Sequence, residues 1–341
     1  MKVLVTGAGA LLGQGVIRAL RASSLDVEIV AVDPSSLAAG LYWADSAHLV
    51  PMADDPEYLH QVEKILMVER PDALLVGTDV ELPIFAAQRE RLEAVYGTKV
   101  VVSSSEVVEV AADKWQTYLM LKAKGLGCPL SSLPGDEEEL IERVGFPLVV
   151  KPRRGCRAQG VVRVEDRWEL RRVLDLQRRG VVSPGGDVII QECVGSDDDE
   201  YTAGALVFGG RCEASIVMGR HLRDGNTYRA FVEAFPVLNQ AVRIVAEAVG
   251  SYGPLNIQFR RDREGIKVFE VNARFSGTTP LRASAGFNEV EMVLRHVLQG
   301  EPIRQPRIEA MTILRYWTET VLPAGKMLER APELEVVDAR S

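Results

Sequence analysis

The sequence predicts a protein of mixed α/β and α+β class, in which a Rossmann-like parallel-sheet domain precedes a second unit built on an antiparallel sheet. Three observations support this prediction. Strands and helices alternate over about the first hundred residues, apolar strands follow one another closely from residue 188, and the hairpin at residues 253–277 has one polar face. A chain of 341 residues with 47% hydrophobic and 26% charged residues suits two or three domains.

Composition excludes several classes of function. The formal net charge is −8 and no long basic block occurs, so nucleic acid is not an expected partner. The four cysteines show no paired short spacing, which argues against a zinc site or a disulfide framework and favours a cytoplasmic protein. No apolar run is long enough to span a membrane, and the apolar start of the chain fits a first strand better than a signal peptide.

The N-terminal region has the pattern of a parallel sheet covered by helices. Its first turn, VLVTGAGALLGQG at residues 3–15, resembles a dinucleotide-binding fingerprint, because Gly7, Gly9 and Gly13 precede Asp33 at about the expected distance. An NAD(P)-dependent oxidoreductase using residues 3–33 is therefore one alternative. The predicted strands are 3–6, 28–32, 73–76 and 99–102, and the predicted helices are 12–21, 57–69 and 81–95.

The middle of the chain changes in texture. Helices are predicted at 113–125, 136–144 and 167–179, and strands at 146–152 and 161–164. The strand FPLVVKP delivers a lysine, Lys151, to the loop RRGCRAQGV, and SPGGD at residues 183–187 indicates a linker. Beyond it, antiparallel strands precede an amphipathic helix ending near residue 249, a helix at 289–299 and a last strand, MTILRYW.

The hairpin GPLNIQFRRDREGIKVFEVNARFSG carries the main functional signal. A three-residue loop at 263–265, with Gly265 in the left-handed position, sets Gln258 opposite Glu270 and Asn256 opposite Asn272. Phe269 and Val271 are then expected on the apolar face. The polar face gathers one carboxylate and three carboxamides, hard oxygen donors that suit Mg²⁺, whereas an ordinary hairpin with a polar outer face is the alternative. Arg274 follows directly and adds an anion-binding guanidinium, as a nucleotide triphosphate requires.

With these residues the sequence resembles the ATP-grasp ligase superfamily, in its single-module, carbamoyl-phosphate-synthetase-like branch. The resemblance covers about residues 1–317 and implies a two-subdomain ATP-grasp fold after the Rossmann-like domain. FEVNAR resembles the Mg²⁺-binding E-x-N-x-R strand of that family. The match implies that Gln258, Glu270 and Asn272 bind Mg²⁺ and that Arg274 contacts the phosphates.

The same resemblance implies the rest of a nucleotide site. Lys114 and Lys151 would bind phosphates, and Glu200 would bind the ribose. Arg220 would contact phosphate or substrate, and Arg282 would hold a substrate carboxylate. The arginine-rich loop at 153–161 departs from the glycine-rich lid usual in the family. The expected adenine-reading strand comprises Gln191, Glu192, Cys193 and Val194.

The implied activity is that of an ATP- and Mg²⁺-dependent carboxylate–amine ligase that works through an acyl phosphate. An ATP-grasp kinase or a non-catalytic ATP-binding sensor would use the same nucleotide site. Small-molecule carboxylate and amine substrates are the expected partners, with a possible homodimer. The predicted organisation has four parts. A Rossmann-like domain covers residues 1–110, and a small subdomain with the phosphate-covering loop covers 111–186. A large subdomain with the Mg-ATP site covers 187–322, and a tail covers 323–341.

Overall fold

The N-terminal part of the protein forms a five-stranded parallel sheet. A computed structural model describes residues 1–155, 158–181 and 186–328. The strand order is β3-β2-β1-β4-β5, and every neighbouring pair is parallel. The elements are β1 (Lys2–Val5), α1 (Leu11–Arg21), β2 (Glu28–Asp33), β3 (Ser46–Leu49), α2 (Tyr58–Glu69), β4 (Ala73–Leu75), α3 (Leu82–Tyr96) and β5 (Lys99–Val101).

Sequence reasoning predicted four of these strands and missed β3. Its sequence, SAHL, lacks a run of β-branched residues, and all four of its residues are only partly buried at the sheet edge. A short edge strand of this kind carries little periodic signal, since neither face is fully packed. Pairing with β2, which contributes backbone partners from Val30 to Asp33, is what makes this segment a strand.

The two faces of the parallel sheet pack into different apolar clusters. Because side chains alternate along a strand, Val3 and Val5 join the cluster on the α1 side, whereas Leu4 joins the cluster under α2 and α3. The α1-side cluster continues into residues near the C-terminal end of the described chain, including Phe287 and Leu294. The N-terminal sheet therefore shares a core with the elements that follow it.

A small four-stranded antiparallel sheet comes next, in the order β6-β9-β7-β8. Two helices occur where the sequence predicted a single helix at 113–125. The first helix ends just before Asp113, and Asp113 caps the second by accepting from the backbone N–H of Trp115 at 2.9 Å. The elements are α4 (Ser105–Ala112), α5 (Lys114–Ala123), β6 (Ser131–Ser132), α6 (Glu137–Val144), β7 (Leu148–Pro152), β8 (Val162–Val164), α7 (Arg167–Arg178) and β9 (Val188–Glu192).

A six-stranded antiparallel sheet completes the described structure, in the order β14-β13-β10-β11-β12-β15. The amphipathic stripe predicted near residues 238–249 is buried against it through Leu238, Val242 and Val245. The elements are β10 (Glu200–Phe208), β11 (Arg211–Arg223), β12 (Asn226–Val232), α8 (Pro236–Val249), β13 (Gly253–Arg261), β14 (Ile266–Asn272), α9 (Thr279–Ser284), α10 (Glu289–Gln299) and β15 (Met311–Leu314).

The β13–β14 hairpin has the predicted strand pairing near Gln258 and Glu270, but its loop and its strand geometry differ from the prediction. Gln258 pairs with Glu270, but the loop comprises four residues, 262–265, and a bulge in β14 takes up the offset. The expectation for Phe269 is wrong: Val268 and Val271 are buried in the core, whereas Phe269 turns to the other side with Glu270. The extra residue in the bulge causes this change of face.

The domain boundaries at residues 110, 186 and 322 stay predictions. Part of the arginine-rich loop (156–157), part of the linker (182–185) and most of the tail (329–341) lie outside the described residues. Within the described ranges, none of the helices is both long and apolar enough to cross a membrane.

Candidate nucleotide-binding cleft

A cleft lies between the four-stranded and the six-stranded sheets. One wall comes from β7, β9 and the loop after β7, and the other from β10, β11, β13 and β14. Most of the predicted site residues line it, namely Lys114, Lys151, Gln191, Glu192, Cys193, Val194, Glu200, Arg220, Gln258 and Glu270. The structure thus brings together residues that are more than 150 positions apart in the chain.

Two lysines line the cleft, Lys151 on the four-stranded sheet and Lys114 at the start of α5. Lys151 lies near the end of β7 and is 6% exposed, and its Nζ is 3.4 Å from the Phe269 carbonyl oxygen. Burial, together with the positive charge of Lys114, lowers the pKa of Lys151 to about 7. The Lys114 Nζ donates to the Gly155 carbonyl at 3.1 Å and lies 4.0 Å from Glu270 Oε2. A bound anion beside Lys151 would favour the charged form of this lysine.

The predicted adenine-reading strand, residues 191–194, is tied to the neighbouring segment 130–131. The Leu130 backbone N–H donates to Glu192 Oε2 at 3.0 Å, and the Glu192 backbone N–H donates to the Leu130 carbonyl at 2.8 Å. Gln191 Nε2 donates to Ser131 Oγ at 2.8 Å. These bonds hold the strand at the cleft wall, and its role in reading adenine stays a prediction.

Glu200 is held by two arginines at the end of β10. Arg220 Nη2 donates to Oε1 at 2.8 Å, and Arg260 Nη2 donates to Oε2 at 2.9 Å. Arg220 also donates to Gln258 Oε1 at 2.7 Å, and Arg260 also donates to the Val194 carbonyl at 3.2 Å. Both carboxylate oxygens of the predicted ribose ligand are therefore engaged in ion pairs.

Sequence reasoning missed Arg260 as a cleft residue. It follows Gln258 by two positions on β13, so the period of two that placed Gln258 on the polar face also applies to Arg260. This was the available signal. The position of Glu200 on the neighbouring strand β10, which determines what Arg260 contacts, is a tertiary feature.

Glu270 is the centre of the predicted metal site. Its Oε1 accepts from Gln258 Nε2 at 3.0 Å and from Asn272 Nδ2 at 2.9 Å. No group of three or more His, Cys, Asp or Glu side chains that could hold a metal occurs among the described residues. One carboxylate and two carboxamides nevertheless fit Mg²⁺, which takes few protein oxygens and retains water and phosphate ligands.

The third carboxamide of the predicted polar face serves a different purpose. Asn256 is 2% exposed, and its Oδ1 accepts from Arg282 Nη2 at 2.5 Å and from the Thr202 hydroxyl at 3.0 Å. Arg282 is itself fully buried and forms two 3.1 Å bonds with Glu289. The structure therefore places Arg282 in the interior, away from the lining of the cleft, where a substrate carboxylate cannot reach it without rearrangement.

Arg274 also lies outside the lining of the cleft and is 9% exposed. Its Nε and Nη2 atoms contact Asp79 Oδ1 and Oδ2 at 2.5 and 3.0 Å. Nη2 is also 3.3 Å from Asn272 Oδ1. Arg274 therefore connects the predicted metal strand to the N-terminal sheet, where Asp79 follows β4.

The N-terminal glycine turn is packed against its own domain. The Asp33 carboxylate is 6% exposed and accepts from the backbone N–H groups of Gly9 and Ser35 at 2.7 and 2.9 Å. A Cβ atom added at Gly13 would lie 2.2 Å from the Gly7 carbonyl oxygen. These contacts explain the glycines by close backbone packing. They also occupy the carboxylate that a dinucleotide ribose would need.

Comparison with known proteins agrees with this geometry. Residues 190–320 match a family described as "ATP-grasp in the biosynthetic pathway with Ter operon", and residues 3–101 match the family "PylC-like, N-terminal domain". The carbamoyl phosphate synthase large chain of Pasteurella multocida is 25% identical over an alignment of 350 residues, and the alignment covers 94% of this chain. The chain spans about a third of that relative's length, 32%.

Solved structures show the same fold at low sequence identity. An ADP complex of N5-carboxyaminoimidazole ribonucleotide synthetase superposes with a TM-score of 0.70 at 16% identity, covering 92% of this chain and 81% of that one. The biotin carboxylase domain of Hydrogenobacter thermophilus 2-oxoglutarate carboxylase gives 0.68 at 20% identity, covering 91% and 72%. The chain therefore shares the fold of these structures, its residues 190–320 match an ATP-grasp family model, and it is similar to the large chain of carbamoyl phosphate synthase.

Proposed function

We propose that this protein is an ATP- and Mg²⁺-dependent ligase that joins a small-molecule carboxylate to an amine. The observation that carries the proposal is the β13–β14 register, which sets Gln258 opposite Glu270 in a cleft that Lys114 and Lys151 also line. Oxygen donors and cations that line the same cleft match the needs of a metal-bound polyphosphate. The relatives named above include ADP-bound and MgADP-bound proteins.

The reaction has two steps. The substrate carboxylate attacks the γ-phosphoryl group of ATP in line, which breaks the bond to ADP and forms an acyl phosphate. An amine then attacks the acyl carbon, releases phosphate and loses a proton. Mg²⁺, when bound, neutralises phosphate charge and orients the transferred group.

The residues of the chain supply positioning and charge. Lys114 and Lys151 neutralise the phosphates. The carboxylate of Glu270 and the amide oxygens of Gln258 and Asn272 hold the metal. Because none of these groups forms a bond to substrate, the proposed rate acceleration comes from orientation and electrostatic stabilisation.

The competing functions rest on weaker observations. An oxidoreductase needs Asp33 free for a ribose, and its carboxylate is already bonded to two backbone N–H groups. The support for a non-catalytic sensor is the arginine-rich loop, because it departs from the glycine-rich lid. Arg153 and Arg154 lie 2.6 and 3.7 Å from Asp113 Oδ2 and thereby anchor the described base of this loop. A kinase would use the same ATP site with a hydroxyl acceptor.

The test is ADP release from Mg-ATP against a panel of carboxylates, each with and without a mixture of amines. The expected result is stimulation by one carboxylate–amine pair and its loss in Glu270→Ala. Glu264→Ala is the matched control, because Glu264 is an exposed carboxylate in the loop of the same hairpin. Stimulation by a hydroxyl compound would indicate a kinase, and MgADP binding with no stimulation by any compound would favour a sensor.

A homodimer and a cytoplasmic location belong to the same proposal. The Hydrogenobacter neighbour is described as a dimer, and the scattered cysteines fit a reducing compartment. Sedimentation of the full chain tests the oligomeric state.

A further inference from the structure

Asp79 contacts Arg274 through a geometry that a substrate could reproduce. The Nε–Nη2 edge of a guanidinium presents two parallel N–H donors, and a carboxylate matches them with its two oxygens. Asp79 does this at 2.5 and 3.0 Å, although the two residues are 195 positions apart and follow strands of different sheets. Within the described ranges, the Asp79 carboxylate bonds to Arg274 alone.

The two partners differ in how firmly they are held. Arg274 is 9% exposed, and bonds from Nη1 to the Phe275 carbonyl at 2.9 Å and from Nη2 to Asn272 Oδ1 remain if Asp79 leaves. The Asp79 side chain is 42% exposed. The guanidinium therefore keeps two bonds without Asp79, and the carboxylate is the exposed member of the pair.

The backbone on both sides of Asp79 is anchored. Gly77 packs so closely on β1 that an added Cβ would lie 1.9 Å from the Thr6 carbonyl oxygen. Glu81 is 4% exposed and accepts from the hydroxyls of Thr6, Tyr58 and Thr78 at 2.6, 2.5 and 2.7 Å. Asp79 can therefore leave Arg274 by rotation of its own side chain, without opening of the loop.

We propose that Asp79 is a specificity-determining residue that occupies the carboxylate-binding edge of Arg274 until the substrate carboxylate displaces it. This inference rests on the proposed ligase function. Only an anion that presents two oxygens to the Nε–Nη2 edge replaces what Asp79 provides, so planar carboxylates are selected over single-atom anions. The competition weakens substrate binding in exchange for this selection.

The test labels arginines with phenylglyoxal and measures the labelling of Arg274 by peptide mass spectrometry. Formate is the anion used to protect Arg274 from labelling, and chloride at equal ionic strength is the comparison. In Asp79→Asn, Arg274 is expected to react about tenfold faster than in the wild type, the ratio that corresponds to about 1.4 kcal/mol. Formate is expected to protect Arg274 in Asp79→Asn at about a tenth of the concentration needed in the wild type. Asp175→Asn, which removes an exposed aspartate–arginine pair on α7, is the control and leaves Arg274 labelling unchanged.

Equal labelling of Arg274 in Asp79→Asn and wild type, or equal protection by chloride and formate, would overturn the proposal. Because the experiment uses neither nucleotide nor turnover, its failure is separate from failure of the ligase proposal. With a substrate from the panel in hand, Asp79→Asn lowers KM for the carboxylate and leaves kcat unchanged. A fall in kcat at constant KM would instead indicate that Asp79 positions Arg274. That result would overturn the proposal that the substrate carboxylate displaces Asp79.

Discussion

Lys151 gives nucleotide binding a predicted pH dependence. The pKa of Lys151 is lowered to about 7, first by burial and then by the charge of Lys114. A bound phosphate favours the charged form, so the lysine takes up a proton on binding whenever the pH is above this value. Affinity is therefore constant well below about pH 7 and falls as the pH rises above it.

The size of the effect follows from the titration of a single group. At about pH 8 a group with a pKa of about 7 is roughly one tenth protonated, so binding takes up about 0.9 proton. Between about pH 7 and pH 9 the charged fraction falls from about one half to about one hundredth, which weakens MgADP binding about fifty-fold. Proton uptake and affinity loss depend on the same pKa and must agree.

Isothermal titration calorimetry with MgADP measures both quantities, since buffers of different ionisation enthalpy report the protons taken up. Lys151→Arg is the matched variant, because a guanidinium stays charged over this range and should remove both the uptake and the pH dependence. Lys99→Arg, at an exposed surface lysine on β5, should bind as the wild type does. Zero proton uptake by the wild type at about pH 8, with a flat affinity profile, would refute the reasoning.

Three further predictions follow from the cleft and the core. Glu270→Gln should lower ADP release about a hundredfold or more, because the proposed metal site loses the carboxylate at its centre, whereas Glu264→Gln should keep the wild-type rate. Equal rates in Glu270→Gln and the wild type would exclude Glu270 as a ligand. Gly204→Ala should lower the free energy of unfolding, measured by urea denaturation, by about 1–3 kcal/mol, because the new Cβ would lie 2.5 Å from Arg282 Nη1. An unchanged free energy of unfolding would contradict this packing. MgADP should raise the melting temperature of the protein, whereas NADH should leave it unchanged, because the Asp33 carboxylate already accepts from the Gly9 backbone N–H. Stabilisation by NADH alone would support the oxidoreductase hypothesis.

The hairpin shows how far sequence reasoning reached. Alternation along β13 and β14 identified the pairing of Gln258 with Glu270, because a period of two and a nearby turn restrict the register. The bulge was not visible, since an extra residue in one strand leaves the composition of both strands unchanged. The consequence was the wrong face for Phe269, although Glu270 was placed correctly.

Buried polar residues were the other limit. Arg282 lies in a turn of small residues and was interpreted as a substrate ligand. The structure shows it paired with Glu289 in a core formed by three separate segments of the chain. A charged residue is rarely buried without such a partner, and the partner is recognisable only when the fold is known. Arg260 was missed for the same reason, since its ion pair with Glu200 joins two strands far apart in sequence.

The sequence alone predicted most of the elements in their order, the parallel and antiparallel character of the sheets, and the residue types of the proposed nucleotide site. These are local properties, since periodicity, glycine turns and strand-terminal charges act over a few residues. The tertiary structure decided which of the polar residues meet. It brought Lys151 against Phe269, engaged Glu200 with two arginines and placed Asp79 on Arg274. The physical reason is that ion pairs and buried hydrogen bonds depend on distances of a few ångströms between segments that packing, not sequence proximity, brings together.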